Sequence, residues 1–239
     1  MITKSIPQYR CWRCAILCLI SCVLASYVLA SDMGQNKERQ PVRYLALGDS
    51  YTIGASVAPA ERWPMQLAAK LRTNGLIVAE PLIIARTGWT TDELMAAIER
   101  QQPQGPFDLV SLLIGVNDQY RGRSGDAYRR QLRQLLHMVI AYAGGHPAHV
   151  IVLSIPDWSV TPFAAGHQRT AIATAIDNFN AINRQEAAQA GVRYVDITLV
   201  SRQALQDTSL LATDGLHPSG KMYTQWVELV LPTALSATR

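Results

Sequence analysis

The sequence predicts an α/β protein in which helices cover both faces of a parallel five-stranded sheet, a three-layer α/β/α arrangement. Short apolar segments alternate with amphipathic ones, and capping residues mark the ends of the amphipathic segments. With 239 residues, 49% hydrophobic and 17% charged, the chain is long enough to bury one substantial core. Alternating strands and helices favour a parallel sheet, because parallel strands need crossover connections.

Five short apolar segments, rich in β-branched or aromatic residues, are the predicted strands. They span residues 42–47, 77–85, 109–114, 150–155 and 192–197. The second segment is weakened by Pro81, which has no backbone N–H to donate to a neighbouring strand.

The amphipathic segments between the strands have recognisable helix ends. Thr90 and Glu93 have the spacing of a capping box, and Gly75, Gly144 and Gly191 follow helical segments as C-caps. The predicted helices span residues 63–74, 90–100, 126–143, 170–190 and 219–235. No internal repeat or second boundary interrupts this pattern, so residues 42–239 are predicted to form one domain.

The first thirty residues are predicted to be an export signal. An almost unbroken apolar run follows a positive n-region, and Val28-Leu29-Ala30 offers a small-residue cleavage site before Ser31; the cationic residues are Lys4, Arg10 and Arg13. We expect cleavage there, a polar linker over residues 31–41, and a periplasmic or secreted mature protein.

Two alternatives to a cleaved signal stay open. The apolar run is a little shorter than the ~20 residues of a spanning helix, so one alternative is an uncleaved membrane anchor. The other is a lipoprotein signal, because Leu19-Ile20-Ser21-Cys22 resembles a bacterial lipoprotein box, although the chain stays apolar beyond Cys22. A membrane contact is expected only through the leader, and only if the leader is uncleaved or lipidated.

Removing the leader changes what charge and cysteine content imply. Three of the 22 Lys+Arg and none of the 18 Asp+Glu lie in it, so the net charge falls from +4 to 19 minus 18, or +1. No basic stripe remains, and nucleic acid is not an expected partner. All four cysteines also lie in the leader, which excludes a disulfide, a thiol nucleophile and a cysteine metal site from the domain; they are Cys11, Cys14, Cys18 and Cys22.

Ser50 lies where the first predicted strand ends, at the edge of the sheet where parallel α/β proteins bind ligands. Its hydroxyl would face the crevice, and its own N–H would be one of the free donors of a helix start. These features suit a nucleophile whose attack creates an oxyanion. Alone, the serine has a commoner explanation as a helix N-cap or turn residue.

A nucleophilic serine needs a base, and His217 is the best placed of the five histidines. Asp214 precedes it by three residues, and Gly215 lets the backbone turn tightly between them. Asp214 would accept a hydrogen bond from one ring nitrogen and leave the other for the Ser50 proton. A histidine that lies by chance in an Asp-Gly turn is the alternative. The pair His146 and His149 has no third ligand nearby, so no metal site is predicted.

Two further residues offer donors for a developing negative oxygen. Asn117, at the end of the third strand, would direct its side-chain amide into the crevice, and Gly88 would offer an unobstructed backbone N–H. Each also has an ordinary structural explanation, an Asx-turn for Asn117 and a positive φ for Gly88.

Together, these segments resemble the four sequence blocks of the SGNH, or GDSL-type, hydrolases. The blocks "GDSYT", Gly88, "GVND" and "DGLH" occur in the family order, and the resemblance extends from Val42 to about Leu235. The first and last blocks are the most specific. Tyr51 stands where the name-giving motif has leucine, and the Gly-x-Ser-x-Gly elbow of ordinary α/β-hydrolases is not found in the sequence.

The resemblance implies a flavodoxin-like fold and a serine esterase that hydrolyses carboxylic esters through an acyl-serine intermediate, with no metal or organic cofactor. It implies Ser50 as nucleophile, His217 as base and Asp214 as its orienting acid. The N–H groups of Ser50 and Gly88, with the Asn117 side chain, would form the oxyanion hole.

Three aromatic residues, Trp89, Trp158 and Phe163, lie in the same strand-end loops. They would form an apolar or sugar-stacking wall that suits a short-chain acyl ester, a lysophospholipid or an acylated sugar; packing beneath the loops is the alternative. The second functional hypothesis is a non-catalytic ligand-binding module on the same fold, because function depends on the site rather than on the fold.

Overall fold

Residues 1–3 and 40–238 are described by a computed structural model of the chain. The predicted export signal and its alternatives fall almost wholly on residues 4–39, outside the described residues, and stay predictions. Residue 239 is also outside them.

One sheet of five strands lies at the centre of the domain, in the order β2-β1-β3-β4-β5, and every neighbouring pair is parallel. The strands are β1 Tyr44–Gly48, β2 Leu82–Ala85, β3 Leu109–Leu113, β4 Val150–Leu153 and β5 Arg193–Val195. The strand order is that of flavodoxin-like folds. The central strands β1 and β3 are buried at every position, as expected for strands covered on both faces.

The second strand is shorter than predicted. It begins at Leu82, directly after Pro81, whereas the sequence predicted a strand from residue 77. Upstream of the proline, only an isolated bridge joins Val78 to Val42. The missing N–H of Pro81 explains why the ladder starts after it.

Helices connect the strands and follow the last one. The α-helices are α1 Ser50–Ile53, α2 Trp63–Thr73, α3 Thr91–Gln101, α4 Val116–Tyr120, α5 Gly125–Tyr142, α6 Arg169–Ala190, α7 Thr198–Arg202 and α8 Gly220–Ala237. Short 3-10 helices occur at Pro59–Glu61, Pro147–His149, Trp158–Val160, Pro162–Ala164, Gln203–Leu205 and Thr208–Leu210. Within residues 1–3 and 40–238, no helix is long and apolar enough to cross a membrane.

The helices form one layer on each face of the sheet. α2 packs on α8, while α5 packs on both α3 and α6. Helix α5 shows why. Ser124 is its N-cap, and the Ser124 Oγ accepts the Ala127 N–H at 3.2 Å. The buried residues of α5 recur on one face at helical spacing; they are Tyr128, Leu132, Leu135, Leu136 and Val139. The predicted three-layer α/β/α class is confirmed.

The strand order places a crevice at the carboxyl ends of β1 and β3. The chain leaves β1 towards β2 on one side and continues through β3 on the other, and ligands bind at such switch points in open parallel sheets. Ser50 follows β1 and Asn117 follows β3, so both lie at this edge.

Candidate active site

Ser50 is the first residue of α1, and its helix is capped by Asp49. The Asp49 Oδ1 atom accepts the Tyr51 N–H at 3.0 Å, so the aspartate, not the serine, is the N-cap. Among the described residues, neither the backbone N–H nor the hydroxyl of Ser50 has a hydrogen-bond partner. Both groups of this largely buried serine are therefore available to a ligand.

His217 and Asp214 form a close pair. The Nδ1 atom of His217 lies 2.6 Å from Asp214 Oδ2, and the backbone N–H groups of Leu216 and His217 each donate to Asp214 Oδ1 at 3.0 Å. Gly215 makes this tight arrangement possible, because it has a φ of 67° and a Cβ there would lie 3.3 Å from Pro162. The histidine ring is thereby held with Nε2 free of these contacts.

The surroundings of Asp214 keep it ionised. Partial burial by itself would raise the pKa of this carboxyl group, but hydrogen bonds from Ser56, from the His217 ring and from the His217 and Leu216 N–H groups more than offset that effect. The pKa of Asp214 therefore lies well below its usual range. A carboxylate in this position stabilises a positively charged imidazole beside it.

Ser50 and His217 line the same cavity, of about 160 Å³. They make no direct hydrogen bond with each other in the described part of the chain, as is common for catalytic groups before substrate binds. Gly88 and Asn117 also line it. The remaining lining residues are Tyr51, Thr87, Val116, Tyr120, Trp158, Phe163 and Leu216.

Gly88 has the left-handed backbone conformation that favours glycine, with a φ of 87°. Its N–H makes no hydrogen bond among residues 40–238, whereas its carbonyl accepts a hydrogen bond from Arg121 Nη2 at 2.6 Å. Arg121 is itself held by Glu93, whose Oε1 lies 3.1 Å from Arg121 Nη1. Arg121 thus holds the Gly88–Trp89 peptide unit through its carbonyl.

Asn117 lies on α4 rather than at the end of β3, where the sequence placed it. Its Nδ2 donates to the Trp89 carbonyl at 2.9 Å. An amide carries two N–H groups, so the second stays available to the cavity. The neighbouring Asp118 fixes the helix, because its Oδ2 accepts hydrogen bonds from the N–H and the hydroxyl of Thr91, both at 3.0 Å.

Two of the three predicted substrate-binding aromatics line the cavity. Trp158 is buried and donates through Nε1 to Gln119 Oε1 at 2.9 Å, while Phe163 is 44% exposed and lies edge-on to it with ring centroids 5.9 Å apart. The side chain of Trp89 is half-buried against the core and is not part of the cavity lining. Its connection to the site is its carbonyl, which accepts from Asn117.

Several cavity residues were not predicted. Val116 and Tyr120 belong to α4, the helix that carries Asn117, and Leu216 is the neighbour of His217, so their positions in the sequence could have indicated them. Ser56 and Arg121 are different. They act on Asp214 and Gly88 from outside the cavity lining, and nothing in the local sequence indicates these contacts.

A buried acid, Asp49, directly precedes Ser50 in the chain. Burial raises the pKa of Asp49 to about 8. The hydrogen bond from the Tyr51 N–H lowers this pKa, and the nearby negative charge of Asp118 raises it further. The Oδ2 atom of Asp49 is buried and has no hydrogen-bond partner among the described residues. Near neutral pH this side chain is therefore mainly a neutral carboxylic acid.

A larger cavity, of about 480 Å³, lies elsewhere, between α6 and α7. Its charged side chains are paired with each other: Arg184 with Asp196 at 2.8 Å and Arg202 with Asp177 at 2.7 Å. It contains none of the residues predicted for catalysis. Within the described residues, no group of three or more His, Cys, Asp or Glu side chains is placed to hold a metal ion.

Solved structures with the same fold include several hydrolases. The crystal structure of TesA is 20% identical, with a TM-score of 0.64 over 82% of this chain and 99% of TesA. Axe2, an acetylxylan esterase from Geobacillus stearothermophilus, is 20% identical, with a TM-score of 0.63 over 81% of this chain and 94% of Axe2. A lipolytic G-D-S-L family protein from Veillonella parvula is 17% identical, with a TM-score of 0.61 over 80% and 97% of the two chains. At sequence identities this low, the structural similarity shows a shared fold only.

The sequence itself carries the family relationship. No curated protein matches it significantly. The model of the GDSL-like lipase/acylhydrolase family matches residues 46–225, a range that includes the Ser50, Gly88, Asn117 and Asp214–His217 segments. The chain therefore belongs to the GDSL-like lipase/acylhydrolase family.

Proposed function

We propose that this protein is an exported serine esterase that hydrolyses carboxylic esters of short acyl chains through an acyl-serine intermediate. One observation carries the proposal: His217, paired with Asp214 at 2.6 Å, lines the same cavity as Ser50, Gly88 and Asn117. This set contains a nucleophile, a base with its orienting acid, and oxyanion donors. Family membership supports ester hydrolysis.

In the first half of the proposed reaction, the Ser50 Oγ attacks the ester carbonyl carbon while His217 Nε2 takes the hydroxyl proton. Asp214 stabilises the imidazolium that forms. The carbonyl oxygen becomes negative and accepts hydrogen bonds from the Ser50 and Gly88 N–H groups and from Asn117 Nδ2. When the tetrahedral intermediate collapses, His217 returns its proton to the departing alcohol, and the acyl group stays on Ser50.

The second half repeats these steps with water. His217 Nε2 accepts a proton from water as the water oxygen attacks the acyl carbon, and the same three donors stabilise the oxyanion. Collapse breaks the bond to Ser50 Oγ, which regains its proton from His217. The products are the carboxylic acid and the free enzyme.

The small cavity favours a short acyl group. Its volume of about 160 Å³ is below the ~300–1,000 Å³ of pockets that enclose drug-sized ligands. Val116, Trp158 and Leu216 give it apolar walls, which suit a hydrocarbon chain rather than a charged group.

Labelling with a fluorophosphonate probe tests the proposed nucleophile. The purified protein should form a covalent adduct at Ser50, identified by peptide mass spectrometry, and Ser50→Ala should not react. Ser201→Ala is a matched control, because Ser201 is a buried serine that donates to the Thr198 carbonyl outside the cavity. Absence of an adduct at Ser50 would favour the non-catalytic binding module.

A panel of p-nitrophenyl esters of increasing acyl length tests the proposed substrate class. We expect kcat/KM to be highest for the shortest acyl groups and to fall as the chain outgrows the cavity. Acetylated sugars and lysophospholipids, run beside the panel, distinguish the kinds of alcohol. A preference for long acyl chains would contradict the proposal.

The proposed export rests on the leader alone. An intact-mass measurement of the exported protein should show a chain that starts at or near Ser31. A species with a lipidated Cys22, or one that keeps Met1, would contradict cleavage at that position.

A further inference from the structure

Asp214 has a second side-chain donor besides His217. The hydroxyl of Ser56 donates to Asp214 Oδ2 at 2.6 Å, and His217 Nδ1 lies 2.6 Å from that same oxygen. Ser56 and Asp214 are 158 residues apart in the sequence. This hydrogen bond therefore joins the loop after the nucleophile's helix to the loop that carries the paired acid and histidine.

The backbone of Ser56 has a conformation that serine rarely adopts. Its φ is 65°, in the left-handed region, and the Val57 N–H bonds to the Gly54 carbonyl across the turn. Ser56 is thus the third residue of a four-residue turn, a position that favours Gly or Asn when φ is positive. Strained residues of this kind persist where the surrounding structure fixes them, and they cluster at functional sites.

The side chain of Ser56 belongs neither to the buried core nor to the cavity wall. The residue is exposed and does not line the cavity. Its one side-chain hydrogen bond within the described residues is the bond to Asp214. Burial raises the pKa of Asp214, but the hydrogen bond from Ser56 opposes burial and helps to hold that pKa low.

We propose that Ser56 is a positioning residue for the reaction: its hydroxyl orients Asp214 so that Oδ2 faces His217 Nδ1. Four donors then fix the carboxylate, with two backbone N–H groups on Oδ1 and Ser56 and His217 on Oδ2. Without the hydroxyl, the Oδ2 side of the carboxylate is held by the histidine alone, and the ring loses its fixed partner. The catalytic part of this inference rests on the proposed esterase function.

Two substitutions separate the hydroxyl from the backbone. Ser56→Ala removes the hydroxyl and keeps a Cβ, whereas Ser56→Gly removes it and also suits the positive φ. We expect both to lower kcat roughly 10- to 100-fold, the range that one hydrogen bond to a charged group spans, with KM little changed. Ser209→Ala, which removes a serine hydroxyl from Asp207 outside the cavity, should leave kcat unchanged.

A spectroscopic measurement tests the contact without relying on activity. The proton between His217 Nδ1 and Asp214 Oδ2 should give a far-downfield ¹H NMR signal, and that signal should move or broaden in Ser56→Ala and Ser56→Gly but not in Ser209→Ala. If the native chain lacks esterase activity and is not labelled at Ser50, the proposed function fails, and this signal still tests the positioning role.

A double variant tests whether Ser56 acts through Asp214. In an Asp214→Asn background, Ser56→Ala should cause little further loss of kcat, because the group it positions is already gone. Ser56→Gly relieves the positive-φ strain that Ser56→Ala keeps, so a loss of kcat shared by the two variants is due to the missing hydroxyl rather than to the backbone. Native-like kcat in Ser56→Gly, an unmoved proton signal, or a full additional loss in the double variant would overturn the proposal.

Discussion

The side-chain amide of Asn117 donates to the Trp89 carbonyl at 2.9 Å. This contact joins α4 to the loop after β2, the two segments that supply the proposed oxyanion donors Asn117 and Gly88. One N–H of the amide is used to hold the loop, and the other is left for substrate. Asn117 thus combines a structural contact with its proposed catalytic one.

Replacing Asn117 should separate these two roles. We expect Asn117→Ala to lower kcat by roughly 10²–10³, because the contact to the oxyanion strengthens only as charge develops, and to leave KM little changed. Loss of the bond to Trp89 should also cost about 1 kcal/mol of unfolding free energy. Asn74→Ala is the control, because its amide donates to the Lys70 carbonyl outside the site. A stability loss with kcat preserved would remove Asn117 from the proposed mechanism.

Asp214→Asn should impair the reaction by reversing a hydrogen bond. The amide oxygen can replace Oδ1, but its NH₂ group would then face two donors, the Ser56 hydroxyl and His217 Nδ1. His217 can accommodate it only by carrying its proton on Nε2, the nitrogen that must accept the Ser50 proton. We expect kcat to fall on the order of 10³–10⁴, less than for Ser50→Ala or His217→Ala. Equal losses in steady-state kinetics for all three variants would contradict this ranking.

Arg121 should influence the reaction through Gly88. Removing its hydrogen bond to the Gly88 carbonyl frees the Gly88–Trp89 peptide unit, which adjoins the peptide whose N–H is the proposed oxyanion donor. We expect Arg121→Ala to lower kcat roughly threefold to tenfold, in line with a net hydrogen bond of about 0.5–1.5 kcal/mol, with KM little changed. Arg193→Ala removes a similar bond, to the Ala148 carbonyl at 2.7 Å, and should have no effect. Equal kinetics in the two variants would exclude this role for Arg121.

The sequence predicted the fold well because local signals and tertiary structure agree. The capping box at Thr90 and Glu93 is present, with Thr90 N–H donating to Glu93 Oε2 at 2.9 Å, and α3 begins at Thr91, directly after the predicted cap. Short helices such as α4 and α7 were not predicted, since five residues carry no periodic pattern. Their formation depends on tertiary contacts, such as the burial of Val116 and Asp118 in α4.

The site was only partly predictable, for a physical reason. Asp214 and His217 are three residues apart, so their pairing depends on a local turn. Ser56 reaches Asp214 across 158 residues and Arg121 reaches Gly88 across 33, contacts that depend on how separate loops meet. Trp89 was predicted to line the substrate wall with its aromatic ring. Its contact with the site is instead made by its backbone carbonyl, which accepts a hydrogen bond from Asn117.

The buried Asp49 should make stability depend on pH. Its pKa rises on folding from 3.8 to about 8, because burial disfavours the charge. The folded state therefore keeps a proton that the unfolded state releases. The stability that this difference contributes is fully present below about pH 4 and is lost as the pH rises to about 8. Asp49→Asn keeps an acceptor for the Tyr51 N–H but does not titrate, so its stability relative to the native chain should improve between pH 5 and pH 8. Urea unfolding at both values measures the difference, and a constant difference would contradict the raised pKa.

Phe163 should limit the length of the acyl chain. Its ring lines the cavity but is 44% exposed, and its backbone N–H bonds to the Gly215 carbonyl at 3.2 Å, so Phe163→Ala should remove the wall and leave the loop in place. We expect the preferred p-nitrophenyl ester to shift to a longer chain, with kcat/KM gaining up to roughly fourfold for each CH₂ that the enlarged cavity buries. Trp158→Ala is less suitable, because replacing a buried tryptophan costs about 3–5 kcal/mol of stability. Leu199→Ala is the control, since Leu199 is an exposed side chain in the separate cavity beside α7. An unchanged chain-length profile in Phe163→Ala would place the acyl group away from Phe163 and leave the ring to contact the alcohol part of the ester.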